Sequence, residues 1–162
     1  MKQCVVADSS PLIALLNIGQ FSLLERLFGK ILIPPMVFAE VSRGELSASP
    51  WFAAQQAGFI VPTVLQPDPR LDIVRLQIDP GESEAILLAD QLGLPLLIDD
   101  RAGRKVASQM GVQIIGLVGV LSALRQQGDL GLEQMPGIVA ALEQISFRLS
   151  PDLKQRLLSG NR

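Results

Sequence analysis

The sequence predicts an α/β fold, a three-layer α/β/α sandwich around a central, mostly parallel sheet. Three observations carry this. Short, largely apolar runs at Cys4–Ala7, Ile31–Ile33, Pro95–Ile98 and Val112–Ile115 alternate with helical stretches, the order that places helices on both faces of a parallel sheet. The chain has 162 residues, of which 48% are hydrophobic and 19% charged, enough for one sizeable core without disulfide or metal staples. No internal repeat, low-complexity segment or long linker divides it. One domain is expected: residues 1–128 as its body, and 129–162 as a C-terminal helical extension packed on it.

The elements follow in order. Cys4–Ala7 reads as the first buried strand. Ser10-Pro11 opens a helix, with Ser10 as N-cap and Pro11 at the first helical position, and Leu12, Ile13, Leu15 and Leu16 as its apolar face. A second helix spans Phe21 to Phe28 and stops at Gly29. Ile31–Ile33 is the second strand. Pro34-Pro35 ends it and opens a helix from Met36 to Arg43. Ser49-Pro50 opens another, ending near Gly58, and Val61–Leu65 is an edge strand. The proline-bearing stretch Gln66–Arg70 is a loop, followed by a short helix from Leu71 to Gln77. Asp79-Pro80-Gly81-Glu82 is a helix start with an acid cap, proline at N1 and an acid at N3, and this helix runs to Leu92 before Gly93. Two further strand–helix pairs place helices at Arg101–Met110 and Leu117–Gln127. Helices near Gln134–Ile145 and Pro151–Ser159 close the chain.

Composition narrows the chemistry. There is no histidine and one cysteine, Cys4. A Ser-His-Asp triad, a Cys-His pair, a histidine-ligated metal and an internal disulfide are excluded. Cys4, inside an apolar run, reads as a small buried hydrophobe. Aromatics are 4% with no tyrosine, which argues against a base-stacking platform. Sixteen acids against fourteen bases give a formal charge of −2, so any nucleic-acid contact must come from a local patch or a bridging cation. The start lacks the apolar core of a signal peptide and no run approaches a membrane span. A cytoplasmic protein with no membrane association is expected.

In open α/β sheets, sites lie beyond the carboxyl ends of the strands. Asp8 follows the first strand and Asp99-Asp100 the third. Glu40 lies on the helix after the second strand, and Glu82 and Glu84 on the helix before the third. At about 100° per residue, Glu40 falls between Met36 and Val37 on the helical wheel, inside the apolar arc. An acid there needs a partner such as Arg43 or Arg26, or a cation. Glu82 is accounted for by the capping-box position. Glu84 has no capping duty and borders Leu87 and Leu88, so it is preferred as the functional acid. Asp100 alone would pass as a helix cap, Asp99 as a turn residue and Asp8 as an Asx turn before Ser10. Four acids converging on one rim, without histidine, form a ligand set for Mg²⁺ or Mn²⁺.

These motifs resemble the PIN-domain family. Val5-Val6-Ala7-Asp8-Ser9-Ser10-Pro11-Leu12-Ile13-Ala14-Leu15 is similar to the family's opening strand, and Pro35-Met36-Val37-Phe38-Ala39-Glu40-Val41 to its second motif. Gly81-Glu82-Ser83-Glu84-Ala85-Ile86, followed by Leu97-Ile98-Asp99-Asp100-Arg101-Ala102-Gly103-Arg104, resembles a prokaryotic subgroup similar to VapC toxins. The likeness runs from residue 5 to about residue 125 and rests on the ordered set of four motifs. It implies a parallel α/β/α sandwich and metal-dependent endonucleolytic cleavage of RNA. Carried over motif by motif, the acids fall on Asp8, Glu40, Glu84 and Asp100, which would hold one or two Mg²⁺ or Mn²⁺ ions. Asp99 neighbours the last, and Glu82 is the other register of the third, where the family more often has aspartate. Ser9 or Ser10 would position Asp8 or a metal-bound water. Arg101, Arg104 and Lys105 follow the fourth acid and would hold phosphates.

Rival classes fare less well. An aspartyl phosphatase wants a second aspartate two residues after the first, where Ser10 stands. A dinucleotide site wants Gly-x-Gly-x-x-Gly after the first strand, where Asp8-Ser9-Ser10-Pro11 stands. The alternative to an enzyme is a catalytically silent PIN fold serving as a nucleic-acid-binding or assembly module. The mean hydropathy of +0.35, together with the resemblance, points to a homodimer. The resemblance adds RNA as substrate and an antitoxin protein as partner.

Overall fold

The computed structural model describes residues 2–159. Five strands form one sheet: β1 (Gln3–Ala7), β2 (Phe28–Ile33), β3 (Ile60–Pro62), β4 (Leu96–Leu97) and β5 (Ile114–Ile115). Their order is β3-β2-β1-β4-β5, and every neighbouring pair is parallel. Val5, Val6, Ala7, Ile31, Ile33, Leu96 and Leu97 are all fully buried, as expected of strands covered on both faces. β4 and β5 are shorter than their apolar runs, but pairing continues past their ends: Val6 N–H donates to Pro95 O, and Ile98 N–H to Ile115 O.

The helices are α1 (Ser9–Asn17), α2 (Leu23–Leu27), α3 (Pro35–Arg43), α4 (Pro50–Gln56), α5 (Arg70–Val74), α6 (Pro80–Leu92), α7 (Arg101–Gln109), α8 (Leu117–Gln126), α9 (Met135–Gln144) and α10 (Pro151–Ser159), with a 3₁₀ turn at Leu132–Gln134 before α9. Three local expectations are corrected. α1 begins at Ser9 with Asp8 in the N-cap position, so Pro11 is its third residue rather than its first. Gly29 does not stop α2 but lies inside β2, where a Cβ would sit 3.1 Å from the Lys2 carbonyl oxygen; the glycine admits the neighbouring chain. Cys4 is half-buried, not enclosed.

The start of α6 conforms to the reading of its sequence. Asp79 accepts from the Glu82 N–H at 2.8 Å, Pro80 occupies the first turn, and Gly93 ends the helix with φ of 66°, a left-handed conformation that glycine adopts without penalty. Leu130, Met135, Ile138, Val139, Leu142 and Leu157 from the C-terminal segment join the same apolar cluster as Val5 and Leu96. Among the described residues no helix is long and apolar enough to cross a membrane.

Candidate active site

The strand order fixes where a site can form. From β1 the chain moves outward to β2 and β3, then returns to the other side of β1 with β4 and β5. β1 and β4 therefore flank the point where the winding reverses, and a crevice opens there beyond their carboxyl ends. Asp8 leaves β1 and Asp99-Asp100 leave the β4 segment at this point. α3 brings Glu40 to the same edge, and the first turn of α6 brings Asp79 and Glu82.

Asp8 is 1% exposed, and its Oδ2 is buried without a hydrogen-bond partner. An aspartate at an N-cap normally accepts from the N–H two or three residues on. Here the third residue is Pro11, which has no N–H, and the Asp8 side chain makes no capping bond. Burial pushes its carboxyl up to about 7, the charges of Asp79, Glu40 and Asp100 push the same way, and the Ser9 backbone N–H opposes them. Glu82 rises to about 8 for the same reasons: burial first, then Asp79, Asp8 and Asp100. These acids destabilise one another's charged forms.

The two glutamates of α6 have opposite surroundings. Glu84 accepts from the Met36 N–H at the start of α3 (3.2 Å) and pairs with the Arg75 guanidinium (3.4 Å). It ties α6 to α3 and to the segment after α5. Glu82 keeps its backbone role in the cap, but its carboxylate is free of it and faces Asp8, Asp79 and Asp100. Gly103 allows this approach, since a Cβ there would lie 3.3 Å from Glu82 Oε2 and 2.7 Å from Ile98 Cδ1. The sequence shows the capping box but not that a glutamate at N3 can leave its carboxylate to the site.

The acids after β4 also divide. Asp100 caps α7 by accepting from the Gly103 N–H at 3.0 Å, and its charge acts on Asp8 and Glu82. Asp99 accepts from the Leu117 N–H at 3.1 and 3.3 Å. It anchors the turn after β4 to the start of α8 beside Arg104, and burial raises its carboxyl against the pull of the Leu117 N–H and Arg104.

Glu40 is half-buried, as its place on the wheel requires, but its partner is neither Arg43 nor Arg26. Buried Ser9 donates to Glu40 Oε2 at 2.8 Å, and a Cβ on Gly81 would collide with Glu40 Oε1. Ser10 is exposed and lines a cleft with Asp99, Asp100, Arg101 and Arg104. Arg101 and Lys105 are exposed, and half-buried Arg104 donates to the Ile98 carbonyl at 3.4 Å. Asp79, taken from the sequence as a cap alone, also places its charge beside Asp8 and Glu82. Its position one turn before Glu82 was the available signal.

Among the described residues no three carboxylates stand in a geometry that encloses a metal ion. The carboxylates here offer only hard oxygens, one of them the unpartnered Asp8 Oδ2, the donor type that Mg²⁺ and Mn²⁺ take. Mg²⁺ is commonly held by one or two carboxylates with retained waters rather than by a complete protein cage.

A PilT N-terminus domain protein from the hyperthermophilic archaeon Sulfolobus solfataricus P2 has a similar solved structure, with 19% sequence identity, a TM-score of 0.48, and coverage of 75% of this chain and 92% of that one. No curated protein matches the chain. The family model DUF3368, described as a PIN domain, matches residues 4–161. The chain belongs to the PIN-domain family.

Proposed function

We propose that the protein is a metal-dependent endoribonuclease that hydrolyses RNA phosphodiester bonds. The observation that carries this reading is the buried Asp8 carboxylate, unpartnered at Oδ2 and surrounded by the charges of Asp79, Glu40 and Asp100 at the winding reversal of a parallel sheet. PIN domains are generally a nuclease fold, which supports the same reading. Asp8, Asp100 and Glu82 would hold the cation, with Asp79 adding charge. Glu40 would shape the rim, fixed by Ser9. A bound divalent cation supplies an acidified water and neutralises charge on the phosphate. Burial and the neighbouring acids raise Asp8 and Glu82 into the neutral range, and a cation held there would favour their charged forms. The exposed guanidinium of Arg101, with Arg104 behind it, attracts phosphate to the cleft mouth.

A toxin role of the VapC kind, an antitoxin partner and a homodimer extend this reading. Exposed Leu46, Val64, Ile73 and Leu76 supply apolar surface for association. The experiment is cleavage of single-stranded RNA by the full chain with Mg²⁺ or Mn²⁺, repeated with EDTA. Metal-dependent cleavage is expected. Undiminished cleavage in chelator would overturn the metal dependence, and no cleavage in any metal would sink the reading and favour the silent binding module.

A further inference from the structure

We infer that the C-terminal segment supplies the second wall of the RNA groove, with Arg148 and Arg156 holding phosphates of the strand next to the bond being cut. This rests on the ribonuclease reading and extends it to residues beyond the four motifs. A cleft of about 630 Å³ opens beside Asp100, within the size range of clefts that take ligands. One wall carries Ser10, Asp100, Arg101 and Arg104. The other is built by the turn after α9 and by α10, and carries Phe147, Arg148 and Arg156.

Four of the chain's fourteen cationic side chains therefore line one cleft in a protein of net charge −2. The salt bridges among the described residues are Arg70–Asp68, Arg70–Asp90, Arg75–Glu84 and Lys154–Glu143. None uses these four arginines. Arg101, Arg148 and Arg156 are exposed. The exposed guanidinium groups of Arg101, Arg148 and Arg156, around a groove that ends at a carboxylate site, suit a polyanion threaded past that site.

The backbone supports the placement. Just beyond α9, Ser146 has φ of 62°, a left-handed conformation costly for a residue other than glycine. The Phe147 N–H closes back onto the Leu142 carbonyl. This turn sets Phe147 against the core and Arg148 at the cleft. α10 is pinned by Arg125, whose Nη1 donates to the carbonyls of Arg156 and Leu157 at 3.1 and 2.9 Å, which leaves the Arg156 guanidinium for the groove.

The test measures binding of a short fluorescein-labelled oligouridylate in EDTA, where no metal-dependent cleavage competes, across a salt series. R148Q/R156Q should bind about 10-fold more weakly than the unaltered chain. The slope of log affinity against log salt should flatten by about 1.4, two phosphate contacts at about 0.7 each. In the cleavage assay KM should rise with kcat kept. K30Q/R43Q, with the same charge change at exposed positions outside the cleft, should match the unaltered chain. Binding and slope unchanged in R148Q/R156Q, while the unaltered chain still binds and cleaves, would overturn the inference and leave the ribonuclease reading standing. An unaltered chain that neither binds nor cleaves RNA would overturn both.

Discussion

Two groups of acids on this molecule have the same side chains and opposite electrostatics. Around Arg70, Asp68 accepts a two-pronged guanidinium contact at 2.7 and 3.0 Å and Asp90 a third at 2.8 Å. The guanidinium holds the Asp68 carboxyl far below its ordinary value. At the carboxyl end of β1, Asp8 and Glu82 face other acids and are pushed up to about 7 and 8. The fold thus supplies cations to acids that tie loops together and withholds them from the buried acids at the winding reversal. A protein carries such unpaired buried charge at a cost, and functional sites are where that cost is commonly met.

The largest expected effect comes from removing one charge from the unpaired group. Asp8→Asn keeps the shape and should lower cleavage by at least about 10²-fold, the scale of losing one electrostatic group from an active site. The same substitution should hold or raise the stability of the metal-free protein. Normal activity in this variant, or a marked loss of stability, would make Asp8 a structural cap and erase the contrast with Asp68.

The second effect is pH dependence. A carboxyl raised in the folded state favours folding below its unfolded value, and that advantage is lost as pH climbs through the folded value. For Asp8 the window runs from 3.8 to about 7, and for Glu82 from 4.5 to about 8. Metal-free protein should lose stability between about pH 4 and 8. At about 1.4 kcal/mol per pH unit, Asp8 sets an upper scale of about 4 kcal/mol. Mg²⁺ or Mn²⁺ should restore stability in the upper part of this window, where the carboxylates are free to bind it. Thermal melts with and without metal across that range check both statements. A metal-free stability that rises from pH 4 to 8 would contradict them.

The fold was legible because its signals are local. Apolar runs, proline and glycine punctuation and the Asp79 cap lie within a few residues of what they specify. The site was legible only by position. Asp8, Glu40 and Asp100 follow strands or sit on an apolar arc, and each reaches the rim. The contrast between Glu82 and Glu84 was not, because what separates their surroundings lies elsewhere in the chain. The Met36 N–H and Arg75 engage Glu84 from other elements, and Gly103 leaves room beside Glu82. The C-terminal arginines were invisible for the same reason: Arg148 and Arg156 gain meaning only when α9 and α10 fold back beside Asp100.

That contrast is the third test. Glu82→Gln should lose cleavage at least about 10²-fold and fold normally. Glu84→Gln should keep cleavage and lose about 1–2 kcal/mol, from weakening charged hydrogen bonds to Met36 and to a partly exposed Arg75. Cleavage rates paired with melts separate them. An inactive, stable Glu84→Gln beside an active Glu82→Gln would restore the register that the helix pattern alone favours.

The smallest effect belongs to the paired acids. Arg70→Gln removes the guanidinium shared by Asp68 and Asp90. Arg70 is 46% exposed, so water and salt already screen much of the attraction. Asp68 also keeps a contact from the Gln91 amide, and that amide still bridges the loop through the Gln66 carbonyl. The melting temperature should fall by no more than about 2–4 °C, the shift that a weak surface interaction produces in a domain of this size. The difference should shrink further in high salt, and RNA cleavage should be unchanged. A loss of cleavage in this variant would mean that the Arg70 cluster communicates with the acids at β1, and that the two groups are not the separate structural and chemical devices their electrostatics describe.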